Sequence, residues 1–306
     1  MKEDGMKAPT IISCLLLFGT LTLASASDVR LKKKADTVEV AIGGEPFAVY
    51  NFSKSLPKPF FSPVRGPGGT VLTRPLKDPE DHQHHKGLWV AVDEVNEIKF
   101  WAEQGKIETV SVDVANGKNA GPGKLQVVNH WLGKDGKPVV VETTAIGIHP
   151  NRLLTYDITF TPAKEPVTFR DTKEGLLAFR MVNSMREKEG GKVINAAGKK
   201  GTSECWGQPS DWIDYYGEVD GKVFGVTLMD HPQNLRPSRY HVRNYGLFSI
   251  NPFGEKAYSR GKNPDKPVVV EPGKKLRLRY GLYVHAGDTK TAGVGDVYEK
   301  FVAATQ

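Results

Sequence analysis

The residue types able to do acid–base or ligand chemistry fall in three clusters. The densest is Asp81-His82-Gln83-His84-His85-Lys86-Gly87, which holds three of the eight histidines in the chain. In an extended segment His82 and His84 point to one side, presenting two imidazoles to one metal ion or one proton-transfer site. His85 points away unless the backbone turns, and Gly87 permits a turn. A metal needs a third ligand, which His231, His241 or His285 could bring from elsewhere. The candidate set for a divalent ion is His82, His84 and His231. His-x-His is a weak motif, and a hydrogen-bonded loop of stacked imidazoles uses the same residues.

The second cluster runs from Asp230-His231-Pro232-Gln233-Asn234 through Arg236, Arg239, His241 and Arg243 to Asn251-Pro252-Phe253-Gly254. Pro232 and Pro237 remove backbone donors, so an irregular loop is expected there. In an extended reading Arg239, His241 and Arg243 share a face, and guanidinium groups suit a carboxylate or several sugar hydroxyls. A surface salt-bridge patch is the bland alternative. The third cluster is Trp206-Gly207-Gln208-Pro209-Ser210-Asp211-Trp212-Ile213-Asp214-Tyr215-Tyr216-Gly217. Aromatic rings between carboxylates suit pyranose recognition, with C–H faces on Trp or Tyr and hydroxyls on Asp. Ordinary core packing explains Trp206 and Tyr216 equally well.

These clusters need a scaffold of strands. Leu276, Leu278, Tyr280, Leu282 and Val284 alternate with Arg277, Arg279, Tyr283 and His285, and Leu154–Phe160 and Val110–Val114 alternate in the same way. Asn116-Gly117, Asp135-Gly136 and Asp220-Gly221 accept the positive φ of tight hairpins. The last of these joins Trp212–Tyr216 to Val223–Met229. Helical periodicity is confined to Val294–Ala304, with Val297, Phe301 and Val302 facing inward. The Gly- and Lys-rich stretch Glu187–Gly201 reads as a loop. The expectation is an all-β protein, a large antiparallel β-sandwich with a short C-terminal helix, forming one domain over 27–306.

The 306 residues carry +7, a surplus too mild and scattered to mark a nucleic-acid binder. Residues 1–26 read as a secretory signal: Lys7, an apolar run from Ile11 to Leu23, then Ala24-Ser25-Ala26 before the cut. That implies a periplasmic or extracellular protein with no membrane span. Cys205 is then left alone as the one thiol, and a buried structural role is expected for it. Nucleophile-elbow, P-loop, His-Glu-x-x-His and dinucleotide motifs are absent from the sequence. Glu94 falls too late after His84 for a cupin.

Taken together and in this order, Asp81–Trp89, Trp212–Gly217, Asp230–Asn234, Tyr240–Phe248 and Asn251–Gly254 resemble the PmoA-like family of exported bacterial proteins. Pro272-Gly273 ahead of the last strand is similar, more weakly, to the galactose-mutarotase-like supersandwich. That likeness implies a concave sugar-facing sheet, with a His and a carboxylate acting at the anomeric centre without metal.

The leading expectation is an exported carbohydrate-active enzyme, an epimerase, lyase or hydrolase. His84 or His241 would be acid or base with Asp211 or Asp214 as partner. Trp212, Tyr215, Arg239, Arg243, Asn251 and His285 would bind the sugar. The alternatives are a non-catalytic glycan-binding protein and, as the PmoA-like name implies, a metal-dependent oxygenase-like protein.

Overall fold

A computed structural model describes Met1, residues 28–77, residue 79 and residues 81–305. The signal segment read over residues 1–26 lies, beyond Met1, outside the described residues.

Two eight-stranded antiparallel sheets face one another. The first follows the order Val29–Lys33, Thr37–Ile42, Glu45–Asn51, Phe60–Val64, Leu88–Val90, Leu177–Arg180, Leu247–Asn251 and Arg239–Val242. The second runs Lys192–Asn195, Trp212–Val219, Lys222–Asp230, Leu276–Ala286, Leu153–Pro162, Pro138–Ile148, Gly123–Leu132 and Lys106–Ala115. A four-stranded sheet of Val268–Val270, Val167–Phe169, Glu94–Val95 and Ile98–Lys99 completes the architecture. The all-β sandwich expectation holds.

Period-two alternation decides which residues enter the space between the large sheets. Leu278, Tyr280, Leu282 and Val284 are buried inside, and Leu154, Tyr156, Ile158 and Phe160 face the same way on the neighbouring strand. In the first sheet Leu177, Phe179, Phe248 and Ile250 look inward. Phe248 meets Tyr215 of the second sheet with ring centroids 5.7 Å apart. The opposite parity of each strand therefore faces outward, and the functional candidates are sorted by which sheet's outer face they occupy.

The outer face of the second sheet is covered by the C-terminal helix, Val294–Ala304. Its Val294, Val297 and Phe301 pack on Leu153 and Met229, with Trp212 and Tyr283 against them. Asp220 and Gly221 turn the hairpin between Trp212–Val219 and Lys222–Asp230, pairing Val219 with Lys222.

Two expectations need correction. Glu187–Gly201 is not a plain loop: Lys192–Asn195 pairs with Tyr216–Ile213 as an edge strand. The strand is four residues long, too short for its alternation to stand out from a loop. Val110 does not share a buried face with Val112, because a bulge between Thr109 and Ser111 shifts the register. Val110 is left 54% exposed while Val112 is buried.

Candidate functional site

The His-rich segment is a turn, not an extended strand. His82 has φ 42°, the His85 N–H donates to the His82 carbonyl, and Gly87 has φ 65°. Only glycine fits at 87, since a Cβ there would stand 2.1 Å from the Phe61 carbonyl oxygen. Arg74 ties the turn together: its guanidinium donates to the Asp81 carboxylate at 2.6 Å and to the carbonyls of Asp81, His82 and His85. Arg180, on the outer face of Leu177–Arg180, donates to the Asp81 carboxylate at 2.7 Å and to His85 Nδ1 at 3.0 Å. A guanidinium is always a donor, so Nδ1 of His85 must be the acceptor and its proton sits on Nε2.

The turn stacks His82 on His85 and leaves His84 edge-on to it. A column of near-parallel rings results. Tyr245 stacks on His82 at 5.2 Å, His82 on His85 at 4.6 Å, and His85 on Trp89 at 5.4 Å. His84 meets both other imidazoles edge-on. Beneath it the buried Lys58 donates to the His84 carbonyl and to Glu103, 5.5 Å from the Trp89 ring. Burial pulls the Lys58 ammonium down to about 8, against the opposing pull of Glu103.

From the column a row of side chains crosses the outer face. Strand pairing places Trp89 beside Ala178, Ala178 beside Ser249, and Ser249 beside His241. Trp206 meets the His241 ring at 6.4 Å. Trp89 Nε1, Ser249 Oγ, His241 Nδ1 and Trp206 Nε1 are buried atoms with no hydrogen-bond partner among the described residues. Such atoms are costly unless something bonds them, and here they gather on one face. Beside Trp206 opens a cleft of about 480 Å3 lined by Thr202, Ser203, Val242, Arg243, Asn244 and Arg260.

The electrostatics keep His84, His85 and His241 neutral. Burial, then Lys58, lowers His84 to about 4. Burial, then Arg243, lowers His241 to about 3. Burial, then His84 and Arg180, drives His85 lower still. Burial works against ionisation of Asp81, but Arg180, His82 and Arg74 outweigh it and hold the carboxyl below its usual range. Near neutral pH His84, His85 and His241 are therefore neutral and Asp81 is ionised, so none of these four groups can donate a proton as a general acid.

Of the residues expected from sequence, the structure brings together His82, His84, His241 and Arg243. The others lie apart. Asp214 and His285 face outward from the second sheet, under the C-terminal segment. There the Asp214 carboxylate accepts from His285 Nε2 at 3.0 Å, Thr227 Oγ1 at 3.0 Å and Thr289 Oγ1 at 2.5 Å. Trp212 packs on the same C-terminal cluster, and Asp211 is exposed beside Tyr298. Tyr215 is core; its hydroxyl accepts from the Glu187 N–H and donates to the Arg243 carbonyl. Arg239 spends its guanidinium on Glu255 and the Gly207 carbonyl. Asn251 bridges Thr172 and Phe253.

The set His82, His84 and His231 is not assembled. His231 Nδ1 accepts from the Gln233 N–H, and its ring packs edge-on against Phe301 of the C-terminal helix. Among the described residues no three His, Cys, Asp or Glu side chains converge as metal ligands. Cys205 is buried and its thiol is pushed up to about 11 by that burial.

Arg74 and Arg180, which hold the candidate site together, were passed over by sequence reasoning. The signal for Arg180 was there: one arginine ends the apolar run Leu177-Ala178-Phe179 on a strand. A second groove, about 490 Å3 on the outer face of the second sheet, holds Arg277, Arg279 and Asp157. Two of its charges have partners, Arg277 on the Asp157 carboxylate and Arg279 on the Gln233 amide oxygen, and Lys124 also lines it. The cleft beside the imidazoles is the stronger candidate.

No curated protein sequence matches the chain. Among solved structures it is similar to the α-galactosidase of Lactobacillus brevis, with a TM-score of 0.42 and 10% identity over 84% of this chain and 39% of that one. It is also similar to galactose 1-epimerase of Lactobacillus acidophilus NCFM, with a TM-score of 0.39 and 7% identity over 85% and 98% of the two chains. The GH36 α-galactosidase AgaA of Geobacillus stearothermophilus gives 0.39 and 9% over 84% and 40%. The chain thus spans well under half the length of either α-galactosidase. A family model covers residues 37–299, and its description does not mention the PmoA-like family that the motifs resemble. The match spans most of the sequence, and the chain belongs to the family of unknown function DUF6807.

Proposed function

We propose that this chain is an exported carbohydrate-active protein whose saccharide site is the outer face of the first sheet, around His82, His84, His241 and Trp206. One observation carries the reading: stacked imidazoles and the unmade hydrogen bonds of Trp89, Ser249, His241 and Trp206 gather on one sheet face, and Trp206 also lines the adjoining cleft of about 480 Å3. Neutral imidazole donates and accepts at once, which suits hydroxyl groups, and flat rings suit the C–H faces of a pyranose. Export rests on the apolar run and the Ala24-Ser25-Ala26 site of residues 1–26.

As an enzyme, the chain would use His84 or His241 as a base. Their lowered proton affinities remove the acid role near neutral pH, and Asp211 and Asp214 lie away from them. A glycosidase needs a protonated carboxyl group next to a second carboxylate. The geometry therefore favours proton abstraction, of the isomerase or lyase type, over hydrolysis. The same shortage of an acid favours, as the second reading, a glycan-binding protein without turnover.

The test is calorimetry against a panel of saccharides, for the wild type and for His82→Asn. Asparagine tolerates the left-handed backbone at 82, and the His82 side chain is 41% exposed, so the variant folds. We expect binding to weaken about tenfold in the variant. The contribution of His84 and His241 should stay flat from about pH 8 to about pH 5. It should fall only below about 4, where His84 gains its proton. Deuterium wash-in from D2O separates the base-catalysed enzyme from the binder. A panel in which no saccharide binds contradicts the reading.

A further inference from the structure

Arg243 and Arg260 differ from the other arginines of the chain. Every other arginine hydrogen-bonds or ion-pairs to an oxygen of this protein. These two have no oxygen partner among the described residues. Both line the same cleft. Each is held on an aromatic face instead: the Arg243 guanidinium lies 5.6 Å from the Tyr245 ring centroid, and that of Arg260 lies 5.7 Å from that of Trp206. Stacking orients a guanidinium while leaving its donors free, so two forks are presented with little rotamer entropy left to lose on binding.

The surroundings do not neutralise them. No acidic residue lines the cleft. Of the carboxylates in the surrounding elements, Glu187 holds the Thr202 N–H and hydroxyl, Glu204 accepts from the Lys200 N–H, Glu255 holds Arg239, and Asp81 holds Arg74 and Arg180. Ser203 and Asn244 add neutral hydrogen-bonding groups to the lining. Two unpaired guanidinium groups in a cleft without acids constitute a site for an anion.

We infer that this cleft is an anion subsite and that the site takes acidic saccharides, with a carboxylate or sulfate ester seated between Arg243 and Arg260. The inference rests on the saccharide reading above and names its substrate class. Through Arg243 and Trp206 the subsite is continuous with the imidazole face: Arg243 lies on Tyr245, which stacks on His82, and Trp206 meets His241. An acidic group held there would leave the rest of its sugar ring, or the neighbouring ring, beside the neutral imidazoles.

The experiment compares trigalacturonate, a sulfated galactan oligosaccharide and uncharged galactotriose by calorimetry at low ionic strength. It uses the wild type and the double variant Arg243→Gln/Arg260→Gln. Both arginines are exposed, so the variant is expected to fold. The expected result is that at least one acidic ligand binds the wild type about tenfold or more tighter than galactotriose. That gap should close in the double variant and shrink with added salt. Which acidic ligand shows the gap tells carboxylate from sulfate. Equal affinity for the acidic and uncharged ligands overturns the anion subsite and leaves the saccharide site standing. No binding of any of the three overturns both.

Discussion

Replacing Arg180 by leucine is expected to cost about 3 kcal/mol of stability, or about 6 °C in melting temperature for a chain of this size, and to abolish saccharide binding. Arg180 is 1% exposed, and its guanidinium has three duties. It donates to His85 Nδ1, pairs with the Asp81 carboxylate and lies 4.8 Å from the Tyr245 ring centroid. Leucine can fill the volume, yet His85 keeps a buried acceptor without a donor and Asp81 loses one of its two arginines. Removing one partner of a buried network costs more than the network's net contribution, because the remaining groups stay desolvated. Both the turn at 81–87 and the ring column depend on that network. Arg180→Lys separates charge from geometry: it should recover part of the stability but not the binding, since an ammonium cannot serve His85 and Asp81 with the same fork. Undiminished binding in Arg180→Leu would mean that the column plays no part in recognition.

Asp214→Ala is expected to lose about 3–5 kcal/mol while saccharide binding by the folded protein persists. The Asp214 carboxylate is fully buried and accepts hydrogen bonds from Thr227, His285 and Thr289. Thr289 belongs to the segment leading into the C-terminal helix, so Asp214 anchors that segment to the second sheet. Alanine leaves an imidazole and two hydroxyls unpaired in a dry interior. The C-terminal residues from about Thr289 onward should exchange amide hydrogens faster and become the first site of proteolysis. Asp214→Asn keeps one acceptor oxygen and should fall between the two. Thermal unfolding together with hydrogen exchange checks the stability arm. A variant of native stability that has lost only its ligand would return Asp214 to the binding site.

The sandwich was legible because its strands bury one face and so alternate cleanly. Leu276–Val284 and Leu154–Phe160 are such strands, and the Asp220-Gly221 hairpin and the helix at Val294–Ala304 lie where the pattern put them. The site was legible only in part. Clustering along the chain pointed to His82, His84, His241 and Arg243, and the structure brings these together. Spacing along an extended strand misread how His82 and His84 meet, because the segment turns and the staple from Arg74 that holds the turn comes from outside the motif. Asp214 and His285 looked catalytic because a buried anchor for a helix uses the same residue types as a proton relay. Only the sheet face distinguishes them. A sequence gives the parity of a strand but not which of its two faces meets solvent, a partner sheet or the C-terminal helix.

The most direct test of the central claim follows the histidine ring signals by NMR while the tightest-binding saccharide of the panel is added. The account predicts that the signals of His82, His84 and His241 move together and saturate with the ligand. Those of His231 and His285, packed beneath the C-terminal helix and its leading segment, should stay where they are. Movement of His231 or His285 with the other three unchanged would place the ligand on the opposite face of the sandwich and contradict the site described for this protein.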